Sequence, residues 1–227
     1  MSMIGSSFLD EAVVEKGITQ PNEIFFEVRK GFINALKQTG EQGQQKDGMD
    51  ATLCALSRNG KGTQWTRLEC AVANNPVLII RSGNNPVVDN GVKLEPILEE
   101  NGLYMYEIKA DRQPVGYKTE EMTPYTHHAV DLLKEDALYT FSDGYQDQFG
   151  GPKGRKFMIK RQKELLMGLY GKTMQERIDG HIIRVAQFQM QMWRPGAALP
   201  APGDKPSALN EQITFIEIQV HAIASAL

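Results

Sequence analysis

Cysteine is nearly absent: Cys54 and Cys70 are the only two in 227 residues, each inside an apolar, strand-like run. That excludes a disulfide framework and fits buried thiols in a reducing compartment. No apolar run approaches the ~18–20 residues needed to span a bilayer. A surplus of either charge is also missing. The 25 Lys and Arg against 28 Asp and Glu leave −3, mixed along the chain, which supports neither a nucleic-acid surface nor a polybasic membrane patch. Histidine is scarce, and His127, His128, His181 and His221 have no carboxylate or cysteine at zinc-like spacing. The first ten residues lack a basic stretch and meet acids at Asp10 and Glu11, unlike a signal peptide. These absences leave a soluble, cytoplasmic protein of one large domain, 1–227, long enough to bury a proper core.

What is present alternates between two periods. Ile4, Phe8 and Ala12, with Leu9 and Val13 alongside, predict a helix over 1–16 that Gly17 ends. Pro21 in a first turn and Glu23 behind it open a second helix, whose face is Phe25, Val28, Phe32, Ala35 and Leu36. A polar, glycine-bearing loop runs from Glu41 to Asp50. Short strands follow over 51–56, 64–72, 77–80, 103–108 and 129–133, punctuated by Asn59-Gly60, Asn74-Asn75-Pro76, Asn84-Asn85-Pro86 and Asn90-Gly91. Helices are expected again over 156–169 and 173–193, the second rich in Met and Gln and suited to core packing or a partner surface. Residues 194–208 hold four prolines and read as a linker or exposed loop. A last strand is expected within 211–223. Two helices followed by many short strands predict an α+β domain on antiparallel sheets.

One stretch carries candidate chemistry. Residues 137–141 read as a short buried strand delivering Asp143 at its end, with a turn on Gly144 and a second carboxylate at Asp147. A carboxylate at a strand tip beside glycine suits a hard divalent cation held by oxygens and water. Ser-Asp-Gly is equally ordinary turn vocabulary, because Asp bonds its own backbone and Gly accepts positive φ. Gly150 to Gly154 reads as a flexible loop. Close after the Asp143 turn, Lys153, Arg155, Lys156, Lys160, Arg161 and Lys163 form a basic run, either a solvated helix face or a site for an acidic or phosphorylated partner.

Several literal strings then match a known family. Met1-Ser-Met-Ile-Gly-Ser-Ser-Phe-Leu9, Gly43-Gln-Gln-Lys-Asp-Gly-Met-Asp50, Ala73-Asn-Asn-Pro76, Gln113-Pro-Val-Gly116 and Phe141-Ser-Asp-Gly-Tyr-Gln-Asp-Gln-Phe-Gly-Gly-Pro-Lys-Gly154 occur in the right order over residues 1–171. With them the chain resembles the SpoIIE-type branch of the PP2C-like (PPM) serine/threonine phosphatases of bacterial signalling proteins. The resemblance implies a sandwich of two antiparallel β-sheets flanked by helices. It also implies two Mn²⁺ or Mg²⁺ ions at one edge of the sandwich, activating a bridging water against a phosphoserine or phosphothreonine. By the same likeness Asp143 is a direct metal ligand. Asp147 belongs to a looser third ion, and Asp47 is a weaker candidate for that outer site. The implied partner is a phosphorylated regulatory protein of the anti-sigma-factor-antagonist type.

Two departures qualify the expectation. The family's Asp and Gly-His-Gly turn lie upstream of where this chain matches, so its first strands are expected to be missing. A sheet edge left bare in that way favours homo-oligomers. Before the closing strand the family has Asp-Asp or Asp-Asn, where this chain has Glu211-Gln212; Glu211 is the candidate ligand there. Two divalent ions need more carboxylate than Asp143, Glu211 and Asp147 supply. Two functions therefore stand: a metal-dependent phosphatase, or a catalytically weak or inactive PP2C-like fragment that binds a regulatory partner.

Overall fold

A computed structural model describes residues 2–38, 48–58, 65–117, 123–173, 175–177 and 179–180. The expected strand within 211–223, the Pro-rich stretch, Asp47 and Glu211 lie outside them. The chain forms two compact units, Met1–Thr140 and Phe141–Leu227.

The first unit is layered. Helix α1 (Ser2–Asp10) runs on into a π-helical turn at Glu11–Glu15. The Lys16 amide closes the turn onto the Glu11 carbonyl, and Gly17 leaves it at φ 66°. Helix α2 (Pro21–Ala35) starts with proline where a missing N–H is harmless, and it buries Ile24, Phe25, Val28, Arg29 and Phe32 at helical spacing. The helices touch through Phe8, whose ring stands edge-on to Phe32 with centroids 5.6 Å apart. Gly31 permits that approach: a Cβ there would sit 2.7 Å from the Phe8 ring.

Thirteen short strands appear among the described residues. In the larger sheet β2 (Ala51–Arg58), β3 (Trp65–Ala73), β10 (His128–Asp131), β5 (Val88–Asp89) and β6 (Val92–Lys93) lie in that order, all antiparallel. The second sheet orders β11 (Ala137–Tyr139), β4 (Val77–Ser82), β8 (Leu103–Ile108) and β7 (Leu98–Glu100), also antiparallel. A separate pair joins β1 (Gly48–Met49) to β9 (Val115–Gly116). The β5–β6 and β7–β8 hairpins turn on Asn90-Gly91 and Asn101-Gly102, all four residues at positive φ, as type I′ turns require.

Alternation along β3 assigns the layers. Leu68, Cys70 and Val72 face Val77 and Ile79 of β4 and Tyr106 and Ile108 of β8, filling the space between the sheets. Ala71 and Ala73 face the helices, packing with Phe25, Val28 and Phe32. Leu78, Ile80 and Met105 are also fully buried, so β4 carries apolar residues on both faces. Among the described residues no helix is long and apolar enough to cross a membrane.

Buried polar groups tie the layers together. The Arg81 guanidinium holds Asp136 through two bonds, 2.8 Å from Nε and 2.6 Å from Nη2, and also donates to the carbonyls of Pro86 and Asp131. Both side chains are 4% exposed. Arg29 donates to the Tyr125 hydroxyl at 2.7 Å, and that hydroxyl donates to the Pro114 carbonyl. Burial pushes the Tyr125 phenol up to about 12 despite Arg29, so it keeps the proton it donates.

The buried Arg81–Asp136 pair and the exposed Arg67–Asp131 pair give contrasting expectations in urea unfolding. Asp136→Ala should cost about 3–5 kcal/mol, because it leaves a buried guanidinium without its counter-charge. Arg67→Ala should cost under ~1 kcal/mol. Equal losses would show that burial of the Arg81 pair does not govern its effect. Gly31→Ala should also lower stability, by about 1–3 kcal/mol of overpacking against Phe8, outweighing the ~1 kcal/mol that alanine gains in helix propensity.

Candidate metal centre

Strand β11 stops at Tyr139, two residues earlier than the sequence pattern predicts; it pairs Ala137, Leu138 and Tyr139 with Ile80, Ile79 and Leu78. Asp143 follows four residues later and is exposed. It opens a tight turn, since the Asp147 amide donates to the Asp143 carbonyl at 2.9 Å and Gln148 Nε2 to the Gly144 carbonyl at 2.8 Å. Tyr145 anchors the loop, buried and edge-on to Phe157 with centroids 5.3 Å apart. The expected role of Gly144 changes here. It is not among the glycines with positive φ, and a Cβ on it would meet only Ser142 Oγ, at 3.5 Å.

Residues 149–156 are not the flexible loop that glycine and proline suggest. Phe149–Gly150 (β12) pairs with Arg155–Lys156 (β13), turning through Gly151 and Gly154, both at positive φ. The hairpin sets Lys156 against Asp147, Nζ to Oδ2 at 2.7 Å. Asp147 is therefore already ion-paired, a contact the sequence analysis missed. Two glycines flanking Pro152-Lys153 between Phe149-Gly150 and Arg155-Lys156 were the available hairpin signal.

Helix α3 (Ile159–Gly168) follows, and its N-terminus has no side-chain cap and no acid in the first turn. Met158 precedes it at φ 71°, ψ 148°, a conformation costing a non-glycine residue about 1–3 kcal/mol. Basic residues in a first turn oppose the helix dipole, and Lys160 and Arg161 stand there. Gln162, fully buried, leaves both amide atoms without a hydrogen-bond partner.

Among the described residues no two-metal centre is assembled, and Asp47 and Glu211 lie outside them. Asp143 stands exposed, Asp147 is held by Lys156, and among the described residues no three His, Cys, Asp or Glu side chains come together to hold a metal ion. Nor does a second anion site replace it. A groove of about 500 Å³ opens beside α1 and α2, but its Lys16 lies 2.9 Å from Glu11 and 3.1 Å from Glu27, and its Lys30 lies 2.6 Å from Glu27. Those hydrogen bonds raise the Lys16 ammonium and lower the Glu27 carboxyl.

No protein-family model and no curated protein matches the chain. Among solved structures it is similar to the SiaA-PP2C domain of Pseudomonas aeruginosa, with a TM-score of 0.57 and 20% identity, covering 82% of this chain and 61% of that one. The likeness shows the fold: an α+β, PP2C-like sandwich, as the motifs imply. The chain spans less than two thirds of that structure.

Because Gly144 has both room and an ordinary backbone, Gly144→Ala should leave thermal stability unchanged or raise it by about 0.4–1 kcal/mol. A loss of stability would show that the turn at Asp143 depends on glycine itself.

Proposed function

We propose that this chain is a PP2C-type phosphatase domain of a SpoIIE-like bacterial signalling protein. Its substrate is a phosphoserine or phosphothreonine on a regulatory partner of the anti-sigma-factor-antagonist type. The observation that carries the reading is Asp143, an exposed carboxylate four residues beyond a strand of a PP2C-like sandwich. No ion pair reaches it among the described residues. An ionised, open carboxylate repels a phosphate dianion, and a cation held between them turns that repulsion into attraction. The chemistry implied is direct attack of water on phosphorus with departure of the seryl or threonyl oxygen. That suits a chain without an evident Ser or Cys nucleophile motif.

A second reading rests on its own observation. With Asp147 paired to Lys156 and no carboxylate cluster described, the domain acts chiefly as a partner-binding module with little turnover. Six basic side chains and no acidic one lie between 149 and 163. Lys153, Arg155, Lys156, Lys160 and Arg161 are exposed, so an acidic or phosphorylated segment is the complementary partner.

Hydrolysis of p-nitrophenyl phosphate, followed while Mn²⁺ or Mg²⁺ is titrated, separates the two. The first reading expects cation-dependent turnover that falls at least tenfold in Asp143→Asn. Folded protein without turnover removes it. The second expects a phosphoserine peptide to bind with marked salt dependence, and binding to weaken in Lys153→Glu/Arg155→Glu. If the charge reversal leaves peptide affinity unchanged, the basic run is not the docking surface.

A further inference from the structure

The two thiols, which neither functional reading uses, stand directly opposite one another in the larger sheet. Cys54 is the cross-strand partner of Cys70 in the β2–β3 register, and Cys70 is the partner of His128 in the β3–β10 register. Directly opposed residues of antiparallel strands project to the same face. Cys54, Cys70 and His128 thus form a row across three adjacent strands. Asp89 backs the row, its carboxylate 2.6 Å from His128 Nδ1 and 2.9 Å from the Ala129 amide. Both cysteines are free, Cys70 buried and Cys54 half-buried on β2, the edge strand.

Opposed Cα atoms in such a ladder lie ~4.5–5.5 Å apart, inside the ~4.4–6.8 Å window of disulfides. Their Cβ atoms, at about 4.5–5.5 Å, need only a small approach to reach the ~3.5–4.5 Å of a bridge. No change of register is required. The two sulfurs differ in reactivity. The neighbouring Cys54 thiol, then burial, then the charge of Asp89 all push the Cys70 thiol up. Cys70 therefore stays protonated and cannot begin an oxidation. Of the two, Cys54 is the one only half-buried.

We propose that Cys54 and Cys70 are a site of reversible oxidation, closing a cross-strand disulfide when the folded protein meets a peroxide. The Cys54 thiolate attacks one peroxide oxygen and the O–O bond breaks. Cys54 becomes a sulfenic acid, and the departing hydroxide takes up the proton the thiol gave, leaving as water. The Cys70 sulfur then attacks the Cys54 sulfur as its proton passes to the sulfenic hydroxyl. The S–O bond breaks, the hydroxyl leaves with the Cys70 proton as a second water, and the S–S bond forms. Two thiols lose two protons and two electrons, and one peroxide becomes two waters. The product pins the edge strand β2 to β3, at the layer boundary where Cys70 packs with Leu68 and Val72.

The test treats the whole native chain with hydrogen peroxide near neutral pH. Thiols are counted with and without denaturant, and peptides are mapped without reduction. The expected result is an intramolecular Cys54–Cys70 link, reversed by dithiothreitol, in a protein that melts several degrees higher than the reduced form. Cys70→Ser should stop at a Cys54 sulfenic acid that dimedone captures, and Cys54→Ser should leave Cys70 unmodified at the same dose. The proposal is overturned if wild-type Cys54 proceeds to sulfinic acid while Cys70 remains a free thiol. It is also overturned if disulfides form only between molecules, or if neither thiol reacts until the protein is unfolded.

Discussion

Strand β3 is buried on both faces over Cys70–Ala73, and the architecture of the first unit follows from that constraint. Leu68, Cys70 and Val72 belong to the core between the sheets, while Ala71 and Ala73 belong to the core beneath the helices. Small residues on the helix side let α2 lie close to the sheet, so Phe25, Val28 and Phe32 reach it. Larger residues on the other side fill the wider gap between sheets, which pack about 10 Å apart. Over that stretch neither face can host water, so hydrolysis of a dissolved substrate is left to strand ends and loops. Asp143 occupies such a position, beyond the end of β11.

The same constraint sorts the charges. Two largely buried groups between the strands are held by several bonds each: Arg81 by Asp136 and two carbonyls, and Asp89 by His128 and the Ala129 amide. They stitch loops to strands and are unsuited to binding a ligand, because each donor or acceptor taken away leaves a buried polar group behind. Exposed charges are less committed. Asp147 and Lys156 pair beside the β12–β13 hairpin at 44% and 42% exposure, where water screens their attraction. The PP2C-like architecture is thus present with an open Asp143, whereas the carboxylate cluster a two-ion centre needs is not built from the described residues. At the uncapped start of α3, Lys160 and Arg161 are exposed.

Legibility divides along the same line. Both N-terminal helices were readable, since Pro21 and Gly17 punctuate them and Phe25, Val28 and Phe32 repeat at helical spacing. The strands of β2, β3, β4, β8 and β10 were found within a residue or two, because apolar runs broken by Asn-Gly and Asn-Pro are local signals. Asn101-Gly102 carries the same signal at the β7–β8 turn. Within 150–154 the glycines mark the turn over 151–154 but hide the two-residue strands on either side. The pairing of Asp147 with Lys156, the burial of Arg29 and Arg81, and the contact of His128 with Asp89 had no sequence signature. Each joins residues nine to 96 positions apart.

By itself the sequence determined the layer composition and the family likeness, because hydrophobic period and literal strings depend only on near neighbours. It also determined that Asp143 ends a strand-to-turn segment. The tertiary structure alone decided which strands are adjacent, and so which side chains face one another. Register placed Cys54 against Cys70 and Lys156 within reach of Asp147, and it gave Arg81 its counter-charge. Such pairings follow from how distant strands share one core, a property that no short window of residues contains.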